Sequence, residues 1–203
     1  PNNAEKFCKR HLDTVYLDKL FTERSLMIHQ DLNIRRKVGY LLHGKQGSGK
    51  TTTMFSISQI LVKKYNVCVF SVSNSEELDF ALYFLKEARK MKQFISVILF
   101  DECEHDFERN ESYIKRVLDG DLTPDDTIFI CSTNYIDRIP KTIKDRPSRF
   151  KYVLDVSIVK EEELVYDILN NMNLSLREEI KLSNAEIKLI TPKGIGKTMD
   201  EIK

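Results

Sequence analysis

The sequence predicts an α/β domain on a doubly wound parallel sheet, and three features of its 203 residues lead there. Five short apolar runs, 38–43, 67–72, 95–100, 127–131 and 152–156, have the length and composition of strands. Helical patterns fill the gaps between the first four, which implies parallel strands joined by right-handed crossovers with helices on both faces. Hydrophobic residues at 41% and charged residues at 31% supply one core and exclude collagen-like, low-complexity and wholly disordered chains.

Each element has its own signal. Leu78, Ala81, Leu82, Leu85 and Ala88 recur at helical spacing, and Ser73-Asn74-Ser75-Glu76 ahead of them reads as a capping box. After Val156 strands give way to helical segments at about 160–172, 177–182 and 184–190. Residues 1–157 therefore read as the α/β core and 158–203 as a small helical lid that is incomplete at its C-terminus. The stretch 191–196, rich in Pro and Gly, is a breaker; Lys193-Gly194-Ile195-Gly196-Lys197-Thr198 reads as a turn into a helix begun at about Thr198.

Charge and cysteines narrow the class. The 32 basic and 31 acidic residues leave +1, which gives no support to a mainly electrostatic nucleic-acid binder. Cys8, Cys68, Cys103 and Cys131 are widely separated, and neither Cys103/His105 nor Cys8/His11 has a second half with zinc-ligand spacing. A reducing compartment is expected, the cytoplasm or another. The longest central apolar run, 97–100, is far below the roughly twenty residues of a membrane helix. Position 1 is proline with no charged-then-apolar leader, so the expectation is a processed form or a piece of a longer protein, with anchoring through a missing region left open.

The chemistry concentrates at strand ends. Gly44-Lys45-Gln46-Gly47-Ser48-Gly49-Lys50-Thr51 follows the first strand and opens a helix, which is the spacing and context of a phosphate-binding P-loop. Successive backbone N–H groups and the helix N-terminus would close around phosphate oxygens, with Lys50 on the β- and γ-phosphates and Thr51 on Mg²⁺. The third strand ends in Asp101-Glu102, at the carboxyl edge where this loop also opens. There Asp101 would hold the magnesium shell and Glu102 would orient an attacking water. Asn134, after the fourth strand, would come close to the γ-phosphate or merely cap a turn. Arg146 and Arg149, three apart before the fifth strand, either stabilise transition-state charge at a neighbour's site or form a solvated basic turn.

In this order the motifs resemble an AAA-type ATPase: Walker A at 44–51, Walker B at 97–102, sensor 1 at Asn134 and an arginine-finger segment at 146–150. The finer likeness is to the branch containing the mitochondrial chaperone that translocates the Rieske iron–sulfur protein, carried by stretches 10–17, 35–44 and 117–120. The resemblance implies ATP and Mg²⁺ as cofactors and a sheet in order 5-1-4-3-2. It also implies that Thr52 joins the nucleotide-binding loop, that adenine lies near Asp13, Thr14 and Val15, and that a homo-oligomeric ring, hexamer or heptamer, acts on a protein client. Two departures stand out: Lys45-Gln46 where the family usually has Pro-Pro, and no aromatic-plus-glycine pore loop in 71–75. Lys197 is a candidate second sensor. A DNA-associated loader, a small-molecule kinase and a nucleotide-gated scaffold are the alternative readings of the same core.

Overall fold

A computed structural model describes residues 12–65, 67–156, 166, 169–170, 172–173 and 181–197. Two short helices, α1 (Thr14–Leu20) and α2 (Glu23–Asp31), precede β1 (Lys37–His43) and α3 (Lys50–Tyr65). Then come β2 (Cys68–Val72), α4 (Ser75–Met91), β3 (Ser96–Phe100), α5 (Glu104–Arg109) and α6 (Glu111–Asp119). The core ends with β4 (Thr127–Thr133), α7 (Lys141–Lys144) and β5 (Tyr152–Asp155), and α8 (Asn184–Ile190) lies beyond it. All pairings are parallel, as the alternating pattern predicts, and the order β2-β3-β4-β1-β5 is the one the resemblance implies.

The period-two alternation of the strands divides the core into two layers. Tyr40, Leu42, Val97, Leu99, Ile128 and Ile130 face α1 and α3, packing with Leu17, Met54, Ile57 and Leu61. Leu41, Ile98, Phe100, Phe129 and Cys131 face α4 to α7, where they meet Leu82, Leu85, Phe107 and Val117. β3 and β4 are buried at every position, which is why 97–100 and 128–131 read as unbroken apolar runs. Gly39 is dictated by proximity: a Cβ there would lie 2.1 Å from the carbonyl oxygen of Arg149, so only glycine lets the chain before β5 close onto β1.

The start of α4 differs from the expected capping box by one residue. Asn74 is the cap and accepts from the Glu77 N–H at 2.9 Å, while the Glu77 carboxylate accepts from the Ser73 N–H at 2.8 Å. An extended Asn74 leaves its amide oxygen free to reach forward, a task the sequence reading gave to Ser73. In the lid, α8 occupies the predicted 184–190, capped by Ser183 and Glu186 in a reciprocal box. The breaker is a 3₁₀ turn at Thr191–Gly194 followed by left-handed Gly196. The expected helices at 160–172 and 177–182 fall largely outside the described residues, and the one begun at Thr198 wholly so. No helix among the described residues is long and apolar enough to cross a membrane.

Candidate functional site

The carboxyl edge of the sheet gathers the chemistry. β1 and β4 run in register from Lys37↔Thr127 to His43↔Thr133, and the Gly44 N–H donates to the Thr133 carbonyl at 3.3 Å. The loop then turns through two left-handed glycines, Gly47 (φ 76°) and Gly49 (φ 87°), a conformation a side chain would resist. Inside it Lys50 is buried, its ammonium donating to the carbonyls of Gly44 and Lys45 at 2.8 Å each. Burial holds this ammonium below the usual lysine range, and the carboxylates of Asp101, Glu102 and Glu104 oppose the shift. Ser48 Oγ is buried with no hydrogen-bond partner. Lys45, Gln46, Thr51 and Thr52 are exposed around the mouth of the loop.

The carboxylates approach from β3. Asp101 accepts from the Thr51 hydroxyl at 2.7 Å through one oxygen. Its other oxygen accepts from the Ser132 hydroxyl in a short contact and from the Glu102 N–H at 3.2 Å. Phe100 pairs with Cys131, so the residues that continue β3 and β4 meet side by side; the Cys103 N–H donates to the Ser132 carbonyl at 2.9 Å. Glu102 sits at φ 50°, a left-handed conformation that is uncommon outside glycine and turns its side chain out of the strand line. There its carboxylate accepts from the Asn134 amide at 3.0 Å. Lys50, Thr51, Asp101, Glu102 and Asn134 thus form one cluster.

Two members of this edge were not singled out from the sequence. Ser132 fixes Asp101, a role visible only once β3 and β4 are in register. Glu104 opens α5, is buried, and has one carboxylate oxygen without a hydrogen-bond partner. Its signal was a third acid two residues beyond Glu102.

The arginines separate. Arg149 is buried and binds Asp119 with two hydrogen bonds, Nε to Oδ1 at 2.9 Å and Nη2 to Oδ2 at 2.6 Å, and its third nitrogen donates to the Thr142 carbonyl. This bidentate fork pulls the Asp119 carboxyl below its ordinary range. Within this chain Arg149 is thus buried and fully engaged by Asp119 and the Thr142 carbonyl. Arg146 is exposed and only 3.6 Å from the same carboxylate. Lys37, at the opposite end of β1 from the loop, donates to the Ser148 carbonyl at 2.6 Å, which holds this segment about 20 Å from Gly44 by strand rise. Neither arginine reaches its own chain's loop.

Asp13 and Thr14 are engaged by aromatic hydroxyls from β5 and α3. Asp13 caps α1 by accepting from the Tyr16 N–H and also accepts from the Tyr152 hydroxyl, both at 2.8 Å, and these bonds hold its carboxyl low. The Thr14 carbonyl accepts from the Tyr65 hydroxyl at 3.4 Å, and Val15 is exposed. Lys197 is exposed beyond the 3₁₀ turn.

The donor set fits a nucleotide with magnesium. An orphaned hydroxyl and an ammonium resting on carbonyls line the loop, and the hard oxygens of Thr51 and Asp101, which suit Mg²⁺, adjoin it. No curated protein is significantly similar to the chain. A family model does match it over residues 40–158, and that span runs from β1 through β5, covering the loop, both carboxylates, Asn134 and the two arginines. By this match over more than half its length, the chain belongs to the ATPase family associated with various cellular activities, the AAA family.

Proposed function

We propose that this chain is a Mg²⁺-dependent ATPase that completes its site between subunits of a homo-oligomeric ring and uses hydrolysis to remodel or translocate a protein client. The observation that carries the catalytic part is the contact between Glu102 and Asn134 beside the Thr51–Asp101 pair. Magnesium, when bound, offsets phosphate charge. Lys50 exchanges two backbone carbonyls for phosphate oxygens, and Ser48 and the loop N–H groups face the same anion. Glu102 orients the attacking water and Asn134 holds its carboxylate in place. The ring part rests on Arg146, an exposed cation on an element remote from its own loop, which suits it to a neighbour's phosphates. The client part rests on the near-neutral charge and on the likeness of 10–17, 35–44 and 117–120 to the Rieske-translocase branch.

Glu102→Gln is expected to lower turnover by about 10² to 10⁴ while leaving nucleotide affinity within about threefold, read by phosphate release and by titration with a fluorescent ATP analogue. Near-normal hydrolysis would sink the role given to Glu102. Mixing Arg146→Ala with Lys50→Ala subunits should recover part of the activity that each lacks alone. Failure to recover any at every ratio, with assembly verified by sedimentation, would rule out action between subunits.

A further inference from the structure

The β2 edge of the sheet carries features that nucleotide chemistry does not use. Among the described residues β2 has one neighbour, β3, and the Cys68 N–H donates to the Ile95 carbonyl at 3.0 Å on that side. Main-chain groups alternate direction along a strand, so Val69 and Ser71 point their N–H and C=O groups away from the sheet. Both residues are exposed, and Cys-Val-Phe-Ser-Val has none of the charges, prolines or bulges that usually blunt an edge. Beside it α4 presents Phe80 (72% exposed), Tyr83 and Phe84 to solvent, and the Phe84 ring lies 5.7 Å from that of Phe70. A cleft of about 380 Å³ runs between strand and helix, walled by Phe70, Val72, Phe80 and Ala81 and rimmed by Glu76 and Glu77. No basic residue lines it, and Glu76 has no hydrogen-bond or ion-pair partner among the described residues.

We propose that the β2 edge and the aromatic shelf of α4 form a docking site for an extended segment of a partner protein whose side chains alternate between apolar and basic. Free main-chain groups select an extended segment over a helix, because only a strand can meet the outward N–H and C=O groups of Val69 and Ser71 together. Alternate side chains of an added strand fall on the α4 side, where the cleft accepts an apolar group. The acidic rim selects a Lys or Arg neighbour by charge complementarity. The turn at 73–74 is committed to capping α4, so the edge and shelf are the parts of this region left to meet a partner. Binding here requires no nucleotide turnover.

The test is fluorescence anisotropy on the whole chain with a short fluorescein-labelled peptide of alternating valine and lysine. Controls carry glutamate for lysine, or N-methyl groups on the backbone nitrogens. Saturable binding of the first peptide, weakened about tenfold or more in either control, is expected. Val69→Pro, which removes one outward N–H and spares the β3 ladder, and Glu76→Lys should each weaken it comparably, with ATPase activity unchanged. Absence of saturable binding, or equal binding of the N-methylated or glutamate peptide, would overturn the proposal without touching the ATPase reading. Self-association in sedimentation that Phe80→Ser abolishes would assign the edge to a second copy of this chain and overturn it equally. The N-methylated peptide keeps the test decisive even where Val69→Pro lowers stability.

Discussion

The two ends of the sheet are built from the same strands and treat charge in opposite ways. At the amino end two arginines are closed onto carboxylates. Arg36 forks onto Asp126 and also donates to the carbonyls of Leu20 and Thr22, and Arg149 forks onto Asp119. Arg89 is only partly closed: Nη2 donates to Ser96 Oγ at 2.7 Å and to the Asp126 carbonyl at 3.0 Å, and Phe94 lies against its guanidinium, while Nε and Nη1 are buried with no hydrogen-bond partner. At the carboxyl end polar groups stand ready and incompletely used: Ser48 Oγ and a Glu104 oxygen lack partners, Lys50 rests on carbonyls, and Glu102 holds a left-handed backbone. One end stabilises the fold and the other stores groups for a ligand, which is how stability and activity come to be separable along a single strand.

The largest effect that tests this contrast is loss of a closed pair. Asp126→Ala leaves the Arg36 guanidinium buried without its fork and should cost about 3–5 kcal/mol in urea unfolding. A cost under about 1 kcal/mol would show that the amino end is not held by its ion pairs. Gly39→Ala comes next, at about 2–3 kcal/mol, because the new methyl would press into the Arg149 carbonyl and displace the segment that carries Arg146. If its stability were unchanged, the close approach between β1 and the chain before β5 would be wrong.

How far the sequence reaches follows the same geometry. Strand runs and the loop were legible because each is a local pattern: β3 and β4 are apolar over most of their length, and the glycines of 44–49 are spaced for a turn that only glycine completes; the strand order came from the family resemblance. Asp101 and Glu102 were legible from the strand they end. What escaped was fixed by partners about thirty positions away: Ser132 on Asp101, Asp119 on Arg149. Two arginines three apart look equivalent in a sequence; only the fold shows that Arg149 is buried in a bidentate fork on Asp119 while Arg146 is exposed and 3.6 Å from the same carboxylate. Asp13, which the resemblance places near adenine, likewise gives no sign in the sequence that Tyr152, from the far end of the core, donates to it.

A smaller change should push the open end the other way. Glu104 keeps a carboxylate buried with one oxygen unpaired, so Glu104→Leu is expected to raise stability by about 1 kcal/mol in urea while lowering ATP turnover. Destabilisation of that size would instead place Glu104 among the closed charges.

A pH dependence at the amino end supplies the last test. Lys37 is half-buried where β1 begins, and burial, aided by the nearby Arg149 and Arg146 and opposed by Asp119, lowers its ammonium to about 8 from an ordinary 10.5. Below pH 8 the folded and unfolded chains both hold this proton, and the fold carries the whole cost of burying it. Between pH 8 and 10.5 the folded chain releases the proton first, so the cost fades and stability rises with pH. Lys37→Met carries no such charge and should melt above the wild type at pH 7, with the difference in Tm shrinking towards pH 10. Other groups titrate in that range, which is why the difference between the two proteins is the quantity to follow. A gap that stays constant or widens would mean that the Ser148 carbonyl and Asp119 satisfy the ammonium fully, and that Lys37 belongs with Arg36 and Arg149 as a charge the fold has closed.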